Sequence, residues 1–287
     1  MSASRAPILV LDSGLGGLTV VKALQAALPN EAIVYFGDTA RVPYGSKSKA
    51  TVTEFVRQIV THFRPLNPKH VVIACNTATA LALPTIRREF PGLSISGVIE
   101  PGAEAAAASS IGSSPLIAVI ATEATIRSHA YEHAILARRS RARLLVRSAP
   151  LLVPIIEDGR DEDDPLTQLA LQQYLQPLID QNPDVLVLGC THYPILKNRI
   201  SAMMGKDCRV IDSAGQCAQD VAVRLRSAGL LHRGSGGASL RCFVTDDSPK
   251  FKLLAERFLG VEVEPPTWIS PQSLAAQLPP LPMRHAG

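Results

Sequence analysis

Short apolar runs recur along the chain, and most stop at a polar residue that opens a stretch of helical spacing. Residues 8–11 (Ile-Leu-Val-Leu) stop at Asp12; a glycine-rich turn, Ser13-Gly14-Leu15-Gly16-Gly17, leads into helical spacing over 18–28. Residues 33–36 stop at Gly37-Asp38 and pass through Pro43-Tyr44-Gly45 to a helix over 50–64. Residues 71–74 (Val-Val-Ile-Ala) stop at Cys75, with Asn76-Thr77 and a helix over 78–90 behind it. These runs are continuous and partly β-branched, the pattern of strands buried on both faces. A further strand over 94–100 precedes an alanine-rich helix that starts at Pro101-Gly102.

From Leu116 the plan restarts. Residues 116–120 form an apolar strand ending in the turn 121–125, and a helix carries Ile126 and Tyr131. A strand-like run over 144–153 ends at Pro154, and 155–159 lead into the acidic loop 161–164. Helix 166–180 precedes Val185-Leu186-Val187-Leu188-Gly189-Cys190-Thr191-His192, a second strand ending in cysteine, and 208–212 close this half. A helix over 214–228, a strand over 239–245, a helix over 249–259 and a short strand over 261–263 follow.

Strands alternating with helices predict parallel pairing with right-handed crossovers. The expected fold is α/β, two pseudo-symmetric α/β domains with mainly parallel central sheets and the active site in the cleft between them. The first domain would take 1–99 plus 213–264 and be discontinuous, the second 100–212, and 265–287 would be a proline-rich C-terminal tail, extended and partly disordered.

Composition narrows the function. With 46% hydrophobic and 19% charged residues, the 287-residue chain can bury a substantial core. A net charge of +4 without interleaved basic and aromatic residues argues against nucleic acid. The arginines at 138, 139, 141, 143 and 147 read as a solvated helix end and loop. No apolar run is long enough to span a membrane. Only seven residues precede the first strand, too few for a signal peptide, so the expected location is cytoplasmic. Five cysteines without close pairs should be free thiols there.

Ligands bind at the carboxyl ends of strands in open α/β sheets. Cys75 and Cys190 both stand there, and both are followed by hydroxyl or amide side chains. Either alone reads as a small buried hydrophobe. Together they suggest two thiols facing one small molecule. A free thiol is only a few per cent ionised at neutral pH and needs a partner. Asp12 can accept the proton of Cys75, and His192 can serve Cys190. Asn76, Thr77, Thr191 and the 14–17 turn can hold a carboxylate through hydroxyl and N–H groups. Tyr44 suits a substrate contact and a loop anchor equally. Zinc on Cys75, Cys190 and His192 lacks ligand spacing. Cys208, Cys217 and Cys242 are not followed by such hydroxyl or amide residues and read as structural, and the other histidines as surface or core residues.

The chain resembles the glutamate racemases of the aspartate/glutamate racemase family in Asp-Ser-Gly-Leu-Gly-Gly (12–17), Asp-Thr-Ala-Arg-Val-Pro-Tyr-Gly (38–45), Cys-Asn-Thr-Ala (75–78) and Gly-Cys-Thr-His-Tyr-Pro (189–194). Thr125, Val153-Pro154 with Glu157 and Gly159, and Thr245-Asp246 also fit. The resemblance implies two-base interconversion of L- and D-glutamate for peptidoglycan precursors, with no cofactor and no metal. It gives Cys75 and Cys190 the acid/base roles, with Asp12 assisting Cys75 and with His192 and Glu157 assisting Cys190. Substrate contacts would come from Asp12, Ser13, Tyr44, Gly45, Asn76, Thr77, Thr125, Thr191 and His192. A homodimer is expected, and activation by a nucleotide-sugar precursor through an N-terminal extension is not. The alternatives are a racemase of aspartate or another acidic amino acid, a one-thiol cysteine hydrolase and an amino-acid binding module.

Overall fold

The structure, a computed structural model, describes residues 3–232, 234, 239–246 and 250–276. It is α/β, with two separate parallel sheets. Ten strands are present among the described residues: β1 (Ile8–Asp12), β2 (Ile33–Gly37), β3 (His70–Ile73), β4 (Ile95–Gly97), β5 (Leu116–Ala121), β6 (Arg143–Ser148), β7 (Val185–Gly189), β8 (Arg209–Asp212), β9 (Leu240–Val244) and β10 (Thr267–Trp268). One sheet runs β10-β9-β2-β1-β3-β4 and the other β6-β5-β7-β8. Every pairing is parallel.

The strand order explains where a site can form. From β1 the chain places β2 on one side and β3 on the other, and from β5 it places β6 on one side and β7 on the other. Each sheet therefore has a switch point, where neighbouring connections leave toward opposite faces and open a crevice at the carboxyl ends. Asp12 and Cys75 flank the first crevice, and residues after Ala121 and Gly189 flank the second.

Both faces of the central strands are covered, so the apolar runs are continuous and buried. One core joins Ile8 and Val10 to Ala118, Ile120, Leu186 and Leu188, so it belongs to both sheets. Helices Leu18–Ala27 and Ala214–Ser227 contribute Leu24, Val221 and Leu225 to it. A second core lies on the far face of the larger sheet, against helices Lys49–Phe63 and Asn76–Glu89. A third lies on the far face of the smaller one, against helices Ile99–Ser109 and Ala130–Leu136.

A buried ion pair ties distant segments under the larger sheet. The Lys69 ammonium donates to the Glu31 carboxylate, to the Ser4 carbonyl at 2.7 Å and to the Leu230 carbonyl at 3.0 Å. The other Glu31 oxygen accepts from the His232 amide at 2.9 Å. His70 is a core residue, its ring nitrogens 2.8 Å from the hydroxyls of Ser94 and Ser96.

Three local expectations need correction. Residues 261–263 form no strand; Val263 is buried as a core plug instead. The ladder on β9 is taken up by Thr267–Trp268, which the sequence reading had put in the tail. The Trp268 indole N–H donates to the Thr245 carbonyl at 3.0 Å, and helix Pro271–Ala275 sinks Leu274 into the second core. An open edge of backbone groups needs a partner, and these residues supply it. The rest of the tail lies outside the described residues. Next, β6 stops at Ser148, and Leu152–Glu157 is helical rather than strand and loop. Pro154 lies in its first turn, where proline is tolerated. Finally, Arg143 and Arg147 sit on the edge strand β6, not in a helix end or loop.

Candidate active site

The 14–17 turn after β1 packs against the second sheet's loop. A Cβ on Gly16 would lie 2.4 Å from His192 Nδ1 and 2.5 Å from Thr191 Oγ1; one on Gly14 would lie 2.8 Å from Glu157 Oε1; one on Gly17 would lie 2.6 Å from the Asp12 Cβ. Glycine here is a condition for close approach between two structural units. Asp12 is buried at this junction. Its Oδ2 accepts from the Gly14 amide at 3.1 Å, and its Oδ1 lies 3.4 Å from the Thr191 hydroxyl. Burial raises its pKa, while the charge of His192 and the amides of Gly14 and Gly17 pull the other way.

Cys75 caps helix Asn76–Glu89, its sulfur accepting from the Ala78 amide at 3.5 Å. Burial, reinforced by the Asp12 charge, pushes its thiol pKa up to about 12, against smaller help from the Ser13 hydroxyl and the Ala78 amide. Cys75 is therefore a protonated thiol at neutral pH.

Cys190 follows β7 directly, its sulfur 3.8 Å from His192 Nδ1. His192 Nε2 is 2.9 Å from Glu157 Oε1, which the helix Leu152–Glu157 delivers. Burial works against charge on His192, yet the hydrogen bonds and charges of Cys190 and Glu157 hold its pKa well above that of free imidazole. The partners on both sides thus favour its protonated form. The edge of Phe258 packs against its ring, with centroids 5.9 Å apart.

The two cysteines line one narrow cavity of about 20 Å³, room for little more than a water molecule. Ser13, Tyr44, Gly45, Asn76, Thr77, Thr191 and His192 line it as well, so most of the residues singled out in the sequence meet here. Asp12 and Glu157 stand behind this lining, and so does Thr125. The Thr125 hydroxyl lies 3.0 Å from that of Thr122 and 3.3 Å from that of Thr77, with 2.8 Å between the latter two. Thr122 lines the cavity and is the functional candidate the sequence reading passed over. It ends an apolar strand at a switch point, as Cys75 and Cys190 do, and that signal was readable. Val42, Pro43 and Val153 complete the lining and carried no such signal.

Tyr44 is a loop anchor by its hydroxyl, which donates to the buried Asp38 carboxylate; its ring faces the cavity. Asp38 also accepts both contacts of the Arg41 Nε, at 2.9 and 2.7 Å, and the Thr245 hydroxyl at 2.9 Å. The loop from 42 to 45 is thus held from beneath, which sets Gly45 against Thr122.

Two strand-end thiols, each beside its own ionisable partner, in a cavity closed off by hydroxyls, can move protons on and off a small acid. A model of the family described as Asp/Glu/hydantoin racemase matches residues 9–221. The chain belongs to that family. It is an enzyme, a racemase. Among its relatives, a glutamate racemase of Chlorobaculum tepidum is 43% identical over 91% of this chain and 94% of its own. One from Neisseria meningitidis is 45% identical over 90% and 94%. The solved structure of a Francisella tularensis glutamate racemase in complex with D-glutamate matches with a TM-score of 0.86 at 35% identity, covering 93% of this chain and 98% of that one. Among the described residues no helix is long and apolar enough to cross a membrane.

The close packing of the glycine turn has a measurable consequence. Gly16→Ala drives a methyl into His192 and Thr191 and must displace them. Misplacement of this size costs on the order of a hundredfold in kcat/KM. Gly215→Ala, where nothing lies within 4 Å of the added Cβ, should leave turnover unchanged. Steady-state kinetics on both variants, with melting curves, separates site displacement from unfolding.

Proposed function

We propose that this racemase interconverts L- and D-glutamate without a cofactor, with Cys75 and Cys190 as the opposing acid and base. The observation that carries the reading is the pair of thiols lining one cavity from different sheets, each with a different electrostatic partner. Inverting an α-carbon requires removal of a proton on one face and delivery on the other, which two groups on opposite sides of the cavity do directly. His192 Nδ1, 3.8 Å from the Cys190 sulfur, is placed to exchange a proton with it. Burial and the neighbouring Asp12 keep Cys75 protonated. In this resting form Cys190 takes the Cα proton of the enantiomer whose C–H faces it, while Cys75 gives its proton to the opposite face. Charge on the sulfurs then exchanges sides. Before the next turnover in the same direction one proton must leave Cys190 and one must reach Cys75; His192 and Asp12 stand on those two routes, and Glu157 steadies His192 as the charge beside it changes.

Substrate recognition rests mainly on uncharged donors. Among the described residues the cavity lining includes no lysine or arginine, and His192 is its cationic group. Ser13, Thr77, Thr122, Thr191 and the Asn76 amide would hold carboxylates by hydrogen bonds. The substrate's own ammonium then adds to the positive charge that eases ionisation of a buried thiol. The relatives named above act on glutamate, and a cytoplasmic homodimer supplying D-glutamate to peptidoglycan precursors completes the reading.

The test is a chiral assay of purified protein with L- and D-glutamate and, in parallel, L- and D-aspartate, with no cofactor added and with chelator present. Glutamate should racemise from either side to equal amounts. Faster turnover of aspartate, or activity that appears only on adding pyridoxal phosphate or a metal, would overturn it.

A further inference from the structure

Asn76 enters the cavity from the first turn of its helix, with its side chain buried. Its Oδ1 accepts a hydrogen bond from the Tyr131 hydroxyl at 2.7 Å. Its Nδ2 is buried without a hydrogen-bond partner. A buried amide N–H left unpaired costs on the order of 1–3 kcal/mol, so an amide aimed into a cavity this way marks where an acceptor binds. Which end of an amide faces a cavity depends on the network behind it. Here the network has a direction. Ser213 stands beside the Tyr131 hydroxyl, whose pKa it lowers against the effect of burial; a hydroxyl there can donate to the phenol oxygen and leave the phenol proton for Asn76 Oδ1. With Oδ1 occupied, only the NH₂ is presented to the ligand.

Space has been left for this relay. A Cβ on Gly102 would lie 3.1 Å from both Ser213 Cβ and the Tyr131 oxygen, and one on Gly189 would lie 2.9 Å from Tyr131 Cε2. Tyr131 is buried on helix Ala130–Leu136 and does not line the cavity. Of the five tyrosines it is the one whose hydroxyl reaches a cavity-lining side chain.

We propose that Tyr131 is a positioning residue that holds the Asn76 amide with its N–H groups toward a substrate carboxylate, and so sets preference for an acidic substrate over its amide. The proposal rests on the glutamate racemase reading of the same site. Tyr131 acts only through Asn76. Without its hydroxyl the amide can turn, present its oxygen, and meet a carboxylate with repulsion and a carboxamide with a hydrogen bond.

The experiment is a double-mutant cycle of Tyr131→Phe and Asn76→Ala, read as KM and kcat for glutamate and as the ratio of kcat/KM for glutamate over glutamine. Tyr131→Phe should raise KM for glutamate about tenfold, the size of one lost hydrogen bond, change kcat less, and narrow the glutamate-to-glutamine ratio. In the Asn76→Ala background the same change should have no further effect on KM, because the two act as one unit. Ser213→Ala should shift KM in the same direction by less, and it answers the question if Tyr131→Phe melts early. An unchanged KM, or effects of Tyr131→Phe and Asn76→Ala that add, would overturn the proposal. A wild type inactive on glutamate would instead sink the function reading alone, and the cycle would then be read on the acidic amino acid that it does turn over.

Discussion

Alanine at Cys75 or at Cys190 is expected to lower glutamate racemisation by about a thousandfold or more, with the fold intact. Positioned acid–base groups contribute about 10²–10⁴-fold each, and here loss of either leaves one face of the α-carbon without a proton donor or acceptor. Both side chains are small and buried, so truncation removes one sulfur and little packing. Cys75 also caps a helix by accepting from the Ala78 amide, which adds roughly 1 kcal/mol of instability to Cys75→Ala. Cys75→Ser separates the two roles: the hydroxyl restores the cap but is far too weak an acid for the chemistry. Chiral chromatography of the product and a thermal melt should therefore show Cys75→Ser stable and nearly inactive. Cys217→Ala, deep in the first core, should lose stability and keep turnover. Substantial activity in either Cys75→Ala or Cys190→Ala would remove the two-thiol mechanism.

The largest effect on stability is expected from Lys69→Met. It leaves the Glu31 carboxylate buried with only the His232 amide as partner, and Ser4 and Leu230 lose their donor. Breaking a buried pair from one side costs about 3–5 kcal/mol, on the order of 10 °C in melting temperature for a chain of this size. Adding Glu31→Gln to Lys69→Met should recover part of the loss, since the remaining group is then neutral. Thermal melts of the single and double variants check this; equal stability of wild type and Lys69→Met would show that the pair holds nothing together. Because neither residue lines the cavity, KM for glutamate should stay unchanged below the transition.

The sequence exposed the features that physics repeats locally. Continuous apolar runs marked the buried strands, and the polar residue ending each run marked the carboxyl edge where the cavity lies. Asp12, Cys75 and Cys190 were legible for that reason, and Thr122 carried the same mark. What stayed hidden depends on contacts far apart in the chain. The glycines of the 14–17 turn read as an anion cradle; they are small because His192, Thr191 and Glu157 pack against them. Tyr44 offered two readings until Asp38, invisible as its partner, fixed the hydroxyl. Glu157 needed a helix at Leu152–Glu157 that Pro154 seemed to forbid. The pairing of Lys69 with Glu31 spans 38 positions and has no local pattern. The six prolines spread over 265–287 read as a tail, while the unpaired edge of β9, which recruits Thr267–Trp268, exists only once the sheet is assembled.

The central claim is that two groups, on opposite faces of the α-carbon, exchange roles. Racemisation of L-glutamate in deuterium oxide, followed at early times by mass spectrometry after separation of the enantiomers, tests it most directly. The D-glutamate formed should carry one deuterium at Cα from the first turnover, while the remaining L-glutamate stays unlabelled. Early and equal labelling of both enantiomers would mean that a single base serves both faces, and would contradict the account.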